Sequence, residues 1–260
     1  MKKELLHLPI GTANFANLRN DKCLYVDKTD LLQKLIEEGR WYFLARPRRF
    51  GKSLTVSTLE AMFAGQSDLF RDLKAEPWVQ KQSQNTAPVI TLDLNGIRIY
   101  HSADELNTSL SKELLDIAHE YDINLDEDKY ASDYLIQLLA KLSKINQVVL
   151  LIDEYDAPIL DNLHDKNIVE YYIEILRDFY RIIKAKGKYL RFVFITGIST
   201  FTKALMGYAM NNLHNISLSA NYGSIVGYTQ DELEEYFSPY IYHCCKKINI
   251  KTTQELYTKI

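Results

Sequence analysis

Five short apolar runs recur along the chain with helical patterns between them, and this alternation constrains the fold more than any other feature. The runs occupy residues 41–45, 89–94, 148–152, 192–196 and, more weakly, 216–218. Their apolar character is continuous, which suits strands covered on both faces, as in a mostly parallel sheet. Such strands alternating with helices imply an α/β architecture. The first helix is expected over residues 29–38, capped by Thr29 or Asp30, with Leu31, Leu32, Leu35 and Ile36 sharing one face. Others are expected over about 53–63, 103–121, 131–144 and 166–186, the last ending at Gly187 in a left-handed cap. From Thr229 the string Thr-Gln-Asp-Glu-Leu-Glu-Glu-Tyr-Phe reads as a capped helix start.

With 47% hydrophobic and 25% charged residues in a chain of 260, there is ample material for a packed core, and disorder and fibrous repeats are excluded. A net charge of −3 and a pI near 6.1 exclude a basic nucleic-acid sleeve. The cysteines are Cys23 and the adjacent Cys244 and Cys245, with no CxxC spacing, so neither a disulfide framework nor a zinc site is indicated. His243 beside them reads as helix surface. Glu4, His7 and Pro9 interrupt the N-terminus before a signal-peptide core forms, and no apolar run approaches the ~20 residues that span a bilayer. A soluble, reduced, cytoplasmic protein with no membrane partner is expected. Ten glycines are few against a usual level of about 7%. A glycine-rich ligand loop is disfavoured on those grounds, so any such site rests on individual positions.

One segment meets that demand. Arg46-Pro47-Arg48-Arg49-Phe50-Gly51-Lys52-Ser53-Leu54 follows an apolar strand and opens a helix, the setting a phosphate-binding loop requires. Gly51 lets backbone N–H groups approach phosphate oxygens, and the helix N-terminus adds its positive dipole end. Lys52 supplies a point charge for the β- and γ-phosphates, and the Ser53 hydroxyl a ligand for Mg²⁺. In the pattern G-x-x-x-x-G-K-[ST], however, Arg46 stands where the first glycine belongs. The competing reading is a basic surface turn ahead of a helix.

A second segment favours the phosphate loop. The run 148–152 ends in Asp153-Glu154-Tyr155-Asp156, about 100 residues downstream. Asp153 at the carboxyl end of its strand is placed to hold Mg²⁺, and Glu154 to orient and deprotonate an attacking water. Ligands bind beyond the carboxyl ends of parallel strands, so both carboxylates converge on the loop. The run 192–196 ends in Thr196, with Ser199 shortly after. ATPases with an extra strand between the two nucleotide motifs keep a polar γ-phosphate sensor there, and Thr196 is the first candidate. A plain strand exit is the alternative.

Together these segments resemble the AAA-ATPase-like family, whose members usually join this domain to a C-terminal nuclease of the PD-(D/E)XK type. Leu8-Pro9-Ile10-Gly11-Thr12, Tyr25-Val26-Asp27-Lys28-Thr29 and the stretch from Tyr189 to Ser199 also match, as do Asn211-Asn212-Leu213 and Gly227-Tyr228-Thr229. The resemblance implies a P-loop NTPase three-layer sandwich, with a mostly parallel five-stranded sheet and an extra strand between the nucleotide motifs. It implies tolerance of Arg46, binding of ATP and Mg²⁺, and catalytic roles for Lys52, Asp153, Glu154 and Thr196. It also implies that the N-terminal segment, including Phe15 and Tyr25, packs near the nucleotide, although core packing is the commoner fate of such rings. The ATPase domain would span 1–228, with 1–40 as that segment and 229–260 as the helical start of a truncated C-terminal region. Two departures stand out: Thr200-Phe201 replaces the basic residue often found before phenylalanine, and no nuclease motif follows residue 230. No nuclease activity is expected from this chain; a nuclease domain or nucleic acid would be a partner through the missing region. Lys184, Lys186, Lys188 and Arg191 read as a solvated helix end. The expected function is ATP hydrolysis coupled to conformational change, in a nucleic-acid-processing or defence-type system; the alternative is a nucleotide-gated switch or scaffold with little hydrolysis.

Overall fold

The computed structural model describes residues 5–96, 104–199 and 212–247. Along them run α1 (Phe15–Asn20), α2 (Thr29–Glu38), β1 (Trp41–Ala45), α3 (Lys52–Phe63), α4 (Glu76–Gln82), β2 (Val89–Asp93), α5 (Glu105–Glu120), α6 (Ala131–Leu142), β3 (Val148–Asp153), α7 (Ala157–Leu160), α8 (Lys166–Ala185), β4 (Leu190–Gly197), β5 (His214–Asn215) and α9 (Gln230–Lys247). The strands form one parallel sheet in the order β2-β3-β4-β1-β5. The strand that carries the phosphate loop, β1, is therefore separated from β3 by an inserted strand, β4.

Alternate residues of β1 to β4 enter two separate cores, and this makes three layers. Val148, Leu150 and Ile152 of β3 face α5, α6 and α8, where Leu106, Leu135, Leu139 and Leu176 are buried. Val149 and Leu151 face the other way, onto Val56, Leu59 and Met62 of α3 and Phe15 of α1. All six residues of β3 are buried. That explains why residues 148–152 carry no polar alternation: each of these side chains meets a helical layer.

Several local expectations shift. Helix α2 begins at Thr29, but its cap is supplied by the preceding residues: Asp27 Oδ1 accepts from the Thr29 N–H at 2.9 Å and from the Thr29 hydroxyl at 2.7 Å. Thr29 lies inside the first turn and cannot cap itself. Gly187 takes no left-handed cap; it starts a single 3₁₀ turn beneath Trp41. The fifth strand lies two residues upstream of its apolar run, at His214–Asn215, because the chain turns away after Ile216 and leaves Leu218 96% exposed. At Thr229 the capping box forms as expected: the Thr229 N–H donates to Glu232 Oε2 and the Glu232 N–H to the Thr229 hydroxyl. Glu232 also receives the Lys28 ammonium on both oxygens, at 2.6 and 2.7 Å, while the Tyr240 hydroxyl donates to the Leu6 carbonyl. Helix α9 is thereby fastened to the N-terminal segment. Among the described residues no helix is long and apolar enough to cross a membrane. Thr200, Phe201 and Asn211 lie outside the described residues.

Candidate active site

Parallel register brings the polar strand ends to one edge. Asp93 of β2 pairs with Asp153 of β3, Ile152 with Ile195 of β4, and Ala45 of β1 with Gly197. The phosphate loop leaves β1 at this edge and winds back through Arg49 (φ 68°) and Gly51 (φ 92°) into α3. Two left-handed residues flanking Phe50 make the tight reversal that aims the first N–H groups of α3 at the mouth of the loop. Gly51 takes that backbone without penalty, whereas at Arg49 it is strained.

Lys52 opens α3 and is only 3% exposed. Its ammonium donates to the Pro47 carbonyl at 3.2 Å and lies 3.7 Å from Glu154 Oε1. Residues drawn from two segments a hundred positions apart thus meet across the loop. Burial pushes the Glu154 carboxyl above its usual range; Lys52 pulls it back, and Asp153 pushes it up again. Asp153 is buried at the end of β3, and its Oδ1 accepts from the Thr196 hydroxyl and from the Glu154 N–H at 3.1 Å. The Thr196 oxygen also accepts from the Glu154 N–H at 3.1 Å. Fully buried Thr196 therefore commits its one proton to Asp153.

The remaining loop residues divide by destination. The Arg46 guanidinium folds back onto the carbonyls of Ser217 and Ala45, while the Ala45 N–H donates to the Ser217 hydroxyl at 2.8 Å. The residue in the place of the missing glycine thus stitches β1 to the segment after β5. Arg48 is exposed and pairs with Asp161 at 3.8 Å; Pro47 and Arg49 are exposed. Phe50 is exposed, and its carbonyl accepts from the Gly227 N–H at 3.0 Å, which ties the loop to the turn before α9. Ser53 and Leu54 are half-buried in the first turn of α3. Phe15 and Tyr25 lie edge-on to each other, 5.2 Å apart, inside the core beneath α3.

Two residues carry no role in the sequence reading yet belong to this edge. Asp93 stands beside Asp153, and partial loss of water raises its carboxyl; the Asn95 N–H works against that, and the Asp153 charge adds to it. Its signal was available, since it is the one carboxylate within the apolar run 89–94, one residue from its end. Asp156 is buried against the exit of β4, where its carboxylate accepts from Ile198 and Ser199. Its partners lie 42 and 43 positions away, and nothing local reveals them.

Comparison with known proteins places these features in a family. The chain is 37% identical over 240 residues to a protein of Azotobacter chroococcum mcd 1 described as an uncharacterized protein in the vnfD 5′ region. That match covers 89% of this chain and 45% of the relative, so the chain spans about half the relative's length. Among solved structures, a Walker-type ATPase of Pyrococcus abyssi is similar at a TM-score of 0.38 and 14% identity, over 96% of this chain and 62% of that one. Drosophila ORC bound to AT-rich DNA and Cdc6 is similar at a TM-score of 0.36 and 14% identity, over 86% and 31%. Residues 9–206 match the AAA-ATPase-like family, described as Predicted AAA-ATPase. That span takes in the phosphate loop, the Asp153-Glu154 pair and Thr196, and the chain belongs to this family.

Proposed function

We propose that the chain binds ATP with Mg²⁺ and hydrolyses it, converting γ-phosphate occupancy into movement of a partner segment. The observation that carries this reading is the meeting of buried Lys52 with Glu154, 3.7 Å apart across the loop, beside the Asp153–Thr196 pair. In the proposed scheme Lys52 exchanges the Pro47 carbonyl for β- and γ-phosphate oxygens, and the loop N–H groups take the rest of their charge. Glu154, freed from the lysine, orients a water and accepts its proton.

The donor set suits magnesium. One hydroxyl, Ser53, and one carboxylate, Asp153, are on offer, and among the described residues no group of three or more His, Cys, Asp or Glu side chains is placed to hold a metal. Mg²⁺ is commonly held by one or two protein ligands together with phosphates and water, whereas an all-protein cage suits other ions. Bound there it would neutralise charge developing on the phosphate oxygens. Thr196 keeps Asp153 oriented for that task. A nucleic-acid-processing or defence-type setting is the reading supported by the resemblance to nuclease-fused ATPases.

Two variants test the scheme. Lys52→Ala should weaken ATP binding and lower turnover by roughly 10²–10³-fold, the cost of removing a main charge-stabilising donor. Glu154→Gln should bind ATP as well as the parent or better, since the lysine loses its competitor, while turnover falls about 10²–10⁴-fold. Because the Glu154 carboxyl is raised in the free chain, the acid limb of kcat/KM should fall above the ordinary glutamate range, with activity lost as pH drops through it. Unchanged affinity and turnover in Lys52→Ala would overturn the site. Tight ATP binding with no turnover in the parent chain would leave the nucleotide-gated switch instead.

A further inference from the structure

Asp156 lies two residues beyond the proposed base and touches none of the groups assigned to ATP. It is nevertheless a carboxylate 2% exposed. Its oxygens accept from the Ile198 N–H at 3.1 Å each, and Oδ2 from the Ser199 N–H and hydroxyl at 2.8 Å each. Among the described residues, the donors to this carboxylate therefore all belong to one two-residue stretch. That stretch cannot leave without stranding a buried charge, which is far costlier than losing an exposed one.

These bonds complete a zipper between two strand exits. The Glu154 N–H donates to the Thr196 hydroxyl, the Tyr155 N–H to the Thr196 carbonyl at 2.9 Å, and the Tyr155 hydroxyl to the Ser199 carbonyl at 3.2 Å. The approach is closer than any side chain on β4's last residue allows. A Cβ on Gly197 would stand 2.4 Å from the Tyr155 ring and 2.9 Å from Asp156 Oδ1. At the start of the zipper sits Glu154, with φ at 49°. A left-handed backbone is unfavourable for a residue with a Cβ and persists only where its surroundings over-determine it. The bonds to Thr196 hold one side of Glu154; the Asp156 anchor holds the other.

We propose that Asp156 is a positioning residue for phosphoryl transfer: by tying the exit of β3 to the exit of β4, it keeps Glu154 in the left-handed backbone that sets its carboxylate opposite Lys52. The inference rests on the ATPase reading above. Released from the anchor, the 154–156 turn relaxes toward right-handed φ and carries the base away from the loop.

The test uses the full chain and the variants Asp156→Asn, Asp156→Ala and Ser199→Ala. Measured for each are the number of ATP sites per chain, the ATP dissociation constant, and the single-turnover rate per occupied site well below the melting temperature. The amide of Asp156→Asn offers one acceptor oxygen in place of two and sets an NH₂ against N–H donors. This variant's rate per occupied site should fall roughly 10–100-fold with affinity within about threefold, the pattern of a displaced group. Ser199→Ala removes a single bond from a half-buried position and should lose about 2–5-fold, so it decides the matter if both Asp156 variants fail to fold. A merely structural role would lower the count of sites and leave the rate per occupied site unchanged, and that result overturns the inference. Should the parent chain bind ATP without hydrolysing it, or not bind it, the ATPase reading falls and this inference with it. An active parent with an indifferent Asp156→Asn removes the inference alone.

Discussion

At the carboxyl end of the sheet, Lys52, Asp153 and Asp156 are buried, and Arg49 and Glu154 hold left-handed backbones. The amino end holds a cleft of about 530 Å³ between Glu37, Glu38, Arg40, Asn146 and Arg191. Two of its charged groups, however, are already engaged. Arg191 donates to the Asn85 carbonyl and to Gln82 and lies 5.2 Å above the Phe63 ring, while Glu38 accepts from the Tyr222 hydroxyl. Buried Lys52 held opposite half-buried Glu154, on a backbone under strain, is what singles out the carboxyl end as the proposed site.

The sharpest way to break this comparison uses two glycines. A Cβ on Gly39, at the amino end, would approach the Tyr42 hydroxyl to 2.4 Å; one on Gly197, at the carboxyl end, would approach the Tyr155 ring to the same distance. Overpacking of either kind costs about 1–3 kcal/mol, and both alanine variants should melt earlier than the parent. Only Gly197→Ala should also lower ATP turnover, by more than about tenfold, because relief of its clash displaces the 154–156 turn. Steady-state rates of both variants at one temperature decide it. Equal losses of turnover would mean that the two edges are coupled through the sheet, and the contrast drawn between them would fail.

The fold was legible because its strands are local. Residues 41–45 and 148–152 declare themselves by unbroken apolar character, and Thr29 to Glu38 by the spacing of its leucines. The phosphate loop and the Asp153-Glu154 pair were legible for the same reason, as contiguous strings on strand ends. Helices α1 and α4 were not, since six or seven residues held by Phe15 and Val79 in a core owe their shape to tertiary packing. Nor was the bond from Thr196 to Asp153, which is set by the register of β3 against β4. Nor were the contacts of Arg46, whose guanidinium closes the seam beside β5 against Ser217, 171 positions away.

A smaller effect is expected where the loop edge meets helix α9. Burial alone would raise the Glu232 carboxyl, but the Lys28 ammonium and the Thr229 N–H outweigh it and hold the group below its usual range. A carboxyl depressed on folding contributes stability that is present above its unfolded pKa and lost as pH falls through the folded value. Glu232→Gln should therefore cost about 1–3 kcal/mol near neutral pH, the worth of a partly buried charged hydrogen bond, and almost nothing once the parent is protonated. Thermal unfolding of both chains from pH 7 down to below the ordinary glutamate range reads the difference. A gap that persisted into acid would assign the loss to shape, since the charge on Glu232 would then be irrelevant.

The smallest effect belongs to the amino end itself. Arg191→Met keeps the apolar stem that covers Phe63 and removes the guanidinium with its hydrogen bonds. Burial already lowers the pKa of this guanidinium, so its charge is held at some cost, and the net loss on removal should be about 1 kcal/mol. ATP affinity and turnover should stay within about twofold of the parent, since that change is under about 0.5 kcal/mol and Arg191 reaches the 154–156 turn only at a distance, along β4 and along α3, which runs from Phe63 beneath it to Lys52 opposite Glu154. β4 makes this variant informative despite its small effect. Arg191 is the second residue of the strand and Thr196 the seventh, so a drop in turnover beyond about tenfold would show that β4, or α3 beside it, transmits displacement along its length. The cleft at the amino end would then be a place from which a bound molecule adjusts the base at the other.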